Sequence, residues 1–242
     1  MKKLMLIAAC LAGATLAAAA MENVVFCTAH PDDIAEPAGL VLLMKGKFKV
    51  HEFGFTRGAR YLPGKPGVLN QELADLRTAE EEKVAAFAGM ELHWIDEVNG
   101  DAYASSNCVA KMTALLKELK PRAVFLHWPC DFHNDHVMST AAMMKAIEFS
   151  GLKPEVYFFP QNHQSRGFVP DVFVDIRPVW DRKVELIRLY KRENANDYLV
   201  NSKEGASRIW GYSIRPQDNA RAESYRSFSP RVQGERTIFD EL

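Results

Sequence analysis

Over residues 23–150 short apolar runs alternate with amphipathic stretches, and this alternation restricts the fold more than any other feature. Residues 24–28, 49–55, 92–95 and 123–126 read as strands. Between them lie helical patterns at 39–44, 71–88 and 109–119, and a further helix follows at about 137–149. Glu36-Pro37 opens the first helix and Gly46 closes it, while Pro121 ends the third, as backbone sterics favour. A chain that alternates in this way builds a parallel sheet with helices on both faces, because each parallel crossover needs a covering helix. The expectation is an α/β, Rossmann-like three-layer sandwich with a mostly parallel sheet of order 3-2-1-4-5. In that order the first and fourth strands diverge at their carboxyl ends and leave a crevice for ligands. The last third is less regular: strands at 156–159 and 172–175, a helix at 180–190, a polar run from Lys191, and a short helix around 220–225. Nothing marks a domain boundary, so residues 21–242 read as one domain.

With 242 residues, 48% of them hydrophobic, the chain can bury a full-sized core. Its net charge of -1 and pI near 6.7 exclude nucleic acid as a default partner. The first twenty residues differ in kind. Met1-Lys2-Lys3 is basic, Leu4 onward is apolar and Ala-rich, and Ala18-Ala19-Ala20 supplies small residues for cleavage. Residues 1–20 therefore read as a signal peptide, the mature chain beginning at Met21 in the periplasm or outside the cell. So short and Ala-rich a stretch is poorly suited to span a bilayer, and no stable span is expected after cleavage. Ile7-Ala8-Ala9-Cys10 loosely resembles a lipoprotein site and keeps an anchored form as the alternative. Cys27, Cys108 and Cys130 remain, an odd set that makes no disulfide scaffold. Cys27 reads as a small buried hydrophobe and Cys130 as a loop thiol.

His30-Pro31-Asp32-Asp33 directly follows the first strand, and His133-Asn134-Asp135-His136 follows the fourth. The expected strand order brings these two loops to one crevice, where they would share a metal ion. His and Asp are ligands that Zn²⁺ accepts, and Fe²⁺ or Co²⁺ would accept them too. Adjacent carboxylates in a turn point apart, so one can bind the ion while its neighbour faces what the ion activates. The long loop after the second strand carries Arg57 and Arg60, candidates for substrate contacts. Arg77 and Glu81, four apart, read as a surface ion pair on the wet side of their helix, beside Glu80 and Glu82. His51, His93, His127 and His163 read as structural, Trp128 and Trp210 as packing residues, and Asp131 has no assigned role.

The two His-Asp loops resemble the paired signature of the PIG-L/LmbE-like deacetylases, zinc-dependent enzymes acting mainly on N-acetylglucosamine-containing substrates. Phe55-Thr56-Arg57-Gly58, Arg77-Thr78-Ala79-Glu80, Trp94-Ile95-Asp96, Val174-Asp175-Ile176, Lys183 and Ala222-Glu223-Ser224-Tyr225 extend the resemblance over most of the chain. Ile34 stands where many relatives carry Glu, and Asn134 where they carry Pro. The resemblance implies zinc on His30, Asp33 and His136, with Asp32 as general base and His133 beside it. It also implies an N-acetylated amino sugar or glycan as substrate, with acetate and an amine as products. A catalytically silent sugar-binding protein and a zinc amidase or esterase on a non-sugar substrate are the competing readings.

Overall fold

Val24, Val25 and Phe26 are fully buried, and so are Val124, Phe125 and Leu126. Runs this apolar cannot expose either face, so both strands lie at the centre of a covered sheet. The computed structural model describes residues 20–161, 164–215, 219–229 and 234–242. The parallel strands are β1 (Asn23–Thr28), β2 (Lys49–Thr56), β3 (Met90–Glu97), β4 (Ala123–His127) and β5 (Glu155–Phe159). β6 (Val172–Asp175) and β7 (Ala222–Ser227) complete one sheet of order β3-β2-β1-β4-β5-β7-β6, in which β7 runs antiparallel to both neighbours. The expected 3-2-1-4-5 order is therefore present, with β1 paired to β2 on one side and β4 on the other. The helices are α1 (Ala38–Met44), α2 (Gln71–Ala88), α3 (Ser106–Leu119), α4 (Asn134–Ser150), α5 (Trp180–Ile187) and α6 (Tyr198–Ile214). One core cluster holds Phe26, Leu40, Val84, Phe125 and Ile187, and the other holds Val25, Phe53, Met112, Leu126 and Met143. They lie on opposite faces of the sheet, because neighbouring strand residues such as Val25 and Phe26 point opposite ways.

Two parts of the last third differ from the sequence expectation. Residues 222–227 form a strand rather than a helix, and the polar run after Lys191 contains α6, of 17 residues. Both were hidden because most of their inward residues are polar or small. α6 turns Leu199, Val200, Lys203, Ser207 and Gly211 inward, which leaves little hydrophobic period to detect. Gly211 lies against the Ala220 backbone so closely that any Cβ would collide with that carbonyl. In β7, Glu223 is only 4% exposed and ties three elements together. Its carboxylate accepts hydrogen bonds from Gly39 N–H (2.6 Å) and Leu40 N–H (2.8 Å) at the start of α1, from Lys183 Nζ (2.7 Å) and from Tyr225 OH (2.7 Å). Glu223→Ala would leave the Lys183 ammonium, 2% exposed, without its counter-charge. A loss of about 3–5 kcal/mol is expected, visible as a lower urea midpoint. A midpoint matching the parent chain would show that the pair carries no stability.

Candidate metal centre and active site

The turn after β1 holds Asp32 in the left-handed region, at φ 95°. A non-glycine residue stays there only when its surroundings over-determine it. Here Asp33 Oδ2 accepts from Ala29 N–H (3.0 Å) and His30 N–H (2.8 Å), closing the turn on itself. α2 clamps it from outside. Arg77 donates to Asp32 Oδ1 (2.6 Å), to Pro31 O (2.5 Å) and to Gly58 O (3.0 Å). Glu81 Oε2 accepts from Asp32 N–H (3.1 Å), and its carboxylate also accepts from Tyr190 OH at 2.8 and 2.9 Å. Arg77 and Glu81 are thus not a surface pair. Both are buried, as is Glu80, because the face of α2 that reads as wet meets the turn after β1 and the segment that follows α5. Only the fold could disclose this: charged side chains give the same helical pattern whether they face water or a buried polar turn.

The second loop begins at His127, which ends β4 and is fully buried beneath the turn. Its Nε2 lies 3.2 Å from Asp33 Oδ2, and its ring stacks on His136 with centroids 4.2 Å apart. The same Nε2 accepts from Ala29 N–H at 3.1 Å, while Nδ1 has no partner among the described residues. His133 caps α4, its Nδ1 accepting from Asp135 N–H at 3.2 Å. One turn on, His136 points back at the β1 turn. His30 Nδ1 lies 3.4 Å from Asp33 Oδ2, and His136 Nε2 lies 3.6 Å from Asp33 Oδ1. The outward nitrogens are taken: His30 Nε2 meets Asp135 Oδ2 and His136 Nδ1 meets Asp131 Oδ1, each at 3.0 Å. Asp131, which had no assigned role, therefore orients His136, and Gln161 Nε2 donates to Asp33 Oδ1 at 3.1 Å.

The two loops meet as the strand order requires. One donor atom each from His30, Asp33 and His136 lies within 4.8 Å of the others, and all three residues are buried. His30, His133 and Asp135 form a second such group. There Asp135 Oδ2 already accepts from Gly100 N–H (2.6 Å) as well as facing His30, and His133 Nδ1 is spent on its cap. The first group is therefore the better cation seat.

Its electrostatics also fit a cation. Burial works against charge on every member, yet Asp33 and Asp131 raise the His136 imidazole to about 10, and Asp135 and Asp33 raise His30. Burial likewise pushes the Asp33 carboxyl up, but His136 and His127 together carry it well below the ordinary range. A cluster that draws protons onto its imidazoles is one that a divalent cation would satisfy, displacing those protons. Asp32 behaves differently: burial, then the Asp33 charge, lifts its carboxyl to about 7 against the pull of Arg77. Burial and the neighbouring His30 and His136 push His133 down, so its ring is held neutral.

Beyond the cluster a cavity of about 270 Å³ is lined by Asp32, His133, Arg60, Asn99, Tyr198 and Lys203 among others. Arg60 is thus at the site, while Arg57 is not among its lining residues. Arg57 pairs with Asp96 (2.7 Å) and lies 4.7 Å over the Trp94 ring. Cys130 is exposed and belongs to neither cluster, and His163 lies outside the described residues.

Behind the turn, Glu52 and Glu81 lie against each other as buried carboxyls. Burial raises Glu52 from 4.5 to about 7 although the Thr28 hydroxyl, donating at 2.7 Å, opposes the shift. Between those values the folded chain keeps a proton that the unfolded chain releases, so stability falls as pH rises through the window. Each pH unit is worth at most about 1.4 kcal/mol. Glu52→Gln keeps an oxygen for Thr28 but cannot titrate, so its stability should fall less between about pH 5 and 7. Urea unfolding of the metal-free protein at both pH values checks this, and equal slopes would show Glu52 ionised throughout.

Fold and cluster together define the class: a doubly wound α/β protein with a buried His-Asp-His centre of metal-ligand type at its switch point. The family model for PIG-L, described as GlcNAc-PI de-N-acetylase, matches residues 25–147, and the chain belongs to this family. Among solved structures it is similar to GalB, the 4-carboxy-2-hydroxymuconate hydratase from Pseudomonas putida (20% identity, TM-score 0.75, covering 90% of this chain and 100% of that one). It is also similar to a conserved protein from Thermus thermophilus (22%, TM-score 0.70, 90% and 100%). A third is the N,N'-diacetylchitobiose deacetylase from Pyrococcus horikoshii, in complex with an inhibitor (20%, TM-score 0.69, 86% and 84%). No curated protein matches the chain. At these identities the likeness is one of fold, and a fold that carries a hydratase and a deacetylase does not itself choose the reaction.

Proposed function

We propose that the chain is a metal-dependent N-deacetylase that hydrolyses the acetamido group of an amino sugar, and that its resident ion is Zn²⁺. The observation that carries this reading is Asp32: a carboxyl raised to about 7, facing the cavity beside the His30, Asp33 and His136 cluster, in a member of a de-N-acetylase family. His30 Nδ1, Asp33 and His136 Nε2 would hold the ion, with Asp135 and Asp131 fixing the two rings. When bound, the ion supplies Lewis acidity, polarising the amide carbonyl and bringing the pKa of water towards about 7.

The remaining steps belong to the chain's own side chains. Asp32, held by Arg77, takes the proton from the attacking water and returns it to the amine as the C–N bond breaks. One C–O bond forms, and acetate and the free amine leave. His133 is neutral and accepts at Nδ1, so Nε2 carries a proton to donate to the carbonyl oxygen as charge develops there. Arg60, Asn99 and Tyr198 line the cavity and are available to sugar hydroxyls. We further propose that residues 1–20 are removed on export and that the enzyme works outside the cytoplasm. Residues 1–19 lie outside the described residues, and no described helix is long and apolar enough to cross a membrane.

The test is acetate release from N-acetylglucosamine and its short oligomers by chain beginning at Met21, with chelator and after Zn²⁺, Fe²⁺ or Co²⁺ is restored. Acetate that disappears with chelator and returns with Zn²⁺ supports the reading. Tight sugar binding without acetate would favour a binding protein, and acetate only from acyl peptides or esters would favour a non-sugar amidase or esterase.

A further inference from the structure

We infer that the substrate carries an apolar substituent on its amino sugar, and that a groove beside the polar cavity receives it. The inference rests on the deacetylase reading above and names the substrate class of that same site. The groove, about 540 Å³, lies between the segment after β5 and the outer face of α6. Phe168, Val169, Ala206, Ile209 and Trp210 give it a mostly apolar wall. Val169 and Ile209 are each 66% exposed, an arrangement water disfavours unless something covers them.

Three observations assign the groove to the substrate rather than to another chain. First, it adjoins the cavity: Ser202 lines both, and α6 passes from Tyr198, Leu199 and Lys203 on the polar side to Ala206, Ile209 and Trp210 on the apolar side. A molecule seated in the cavity beside Asp32 thus borders the groove at Ser202. Second, the groove wall is bonded to the centre. Ser165 lines the groove, and its hydroxyl donates to Asp131 Oδ2 at 2.8 Å, the carboxylate whose other oxygen orients His136. The same segment is pinned where Trp128 Nε1 donates to Arg166 O at 2.8 Å. Phe168 stacks edge-on between Trp128 (5.5 Å) and Trp210 (6.3 Å), so the groove is preformed. Third, the cavity of about 270 Å³ is small, at the bottom of the range for ligand pockets, whereas groove and cavity together suit a larger, two-part molecule.

All of these groove residues fall beyond the stretch 25–147 that the family model matches. The occupant is an alkyl or aryl group joined to the sugar, whose polar half sits at Asp32 and whose apolar half lies on Ile209 and Trp210.

The test compares acetate release from N-acetylglucosamine and from its octyl glycoside, kept below the concentration at which the latter forms micelles. Each is measured with the metal-loaded parent chain and with the double variant Val169→Ser, Ile209→Ser, both at exposed positions. The readout is the ratio of kcat/KM for the two compounds, in which any change in folded fraction cancels. The parent chain is expected to prefer the octyl compound at least tenfold, chiefly through a lower KM, and the variant to lose most of that preference. Equal rates on the two compounds, or a preference that survives in the variant, would overturn the groove and leave the deacetylase reading standing. Acetate from neither compound would overturn that reading and this inference with it.

Discussion

Asp32→Asn is expected to lower kcat by roughly 10²–10⁴-fold, the usual contribution of one positioned base, while metal content stays at the parent level. Asparagine has the shape of aspartate and tolerates the left-handed backbone that position 32 adopts, φ 95°, so the turn should survive. Its amide oxygen can still accept from Arg77, at 2.6 Å in the parent chain, but the group cannot take a proton. The effect should fall on kcat rather than KM, because ground-state contacts to the sugar are made by other residues lining the cavity. Metal analysis beside steady-state kinetics separates the outcomes. Full metal with full turnover would remove Asp32 from the mechanism, whereas lost metal would show that it serves the ion instead.

His136→Ala is expected to abolish measurable activity and to reduce bound metal below one ion per chain. Three donors are few for a tightly held ion, and this change leaves only His30 and Asp33. It also strips Asp33, 7% exposed, of the imidazole that most favours its charged form. The metal-free variant should therefore also be less stable, by about 3–5 kcal/mol if the pair is fully broken. Asp131→Asn provides the graded comparison, since it keeps His30, Asp33 and His136 and weakens the bonds that Asp131 accepts from His136, His133 N–H and Ser165. A loss of about 10–100-fold in metal affinity is expected there. Competition with a chromophoric chelator measures both variants. Unchanged affinity in His136→Ala would move the ion to the His30, His133 and Asp135 group.

The order of these effects follows from how the site is assembled. The family match ends at residue 147, yet the turn at Asp32 is held partly by side chains beyond it. Tyr190, three residues after α5, bonds Glu81, which holds the Asp32 amide. Gln161 after β5 bonds Asp33, and Lys203 on α6 bonds Gln161 Oε1 at 3.3 Å and Glu36 at 2.6 Å. The less regular last third therefore walls and braces the centre.

Much was legible in the amino-acid sequence alone, for physical reasons. The strands at Val24–Thr28 and Ala123–Leu126 are apolar on both faces, which only a covered central position permits, and the alternation with helices forces parallel pairing. From that pairing the meeting of His30, Asp33, His133 and His136 followed without any long-range information. What the tertiary structure alone decided is where charged side chains point. Arg77 and Glu81 look solvated in sequence, and nothing there marks Lys203 or Glu223 as buried, since hydrophobic period records apolar burial and is blind to buried polar pairs. His127 carried a signal, its place at the carboxyl end of β4, but whether such a ring faces the crevice or the core depends on the twist of the sheet. β7 and α6 escaped detection for the same reason: Glu223, Ser224, Lys203, Ser207 and Gly211 interrupt the few apolar residues on their inward faces. Such residues become interior only when partners from distant parts of the chain satisfy them, and only the folded chain brings those partners together.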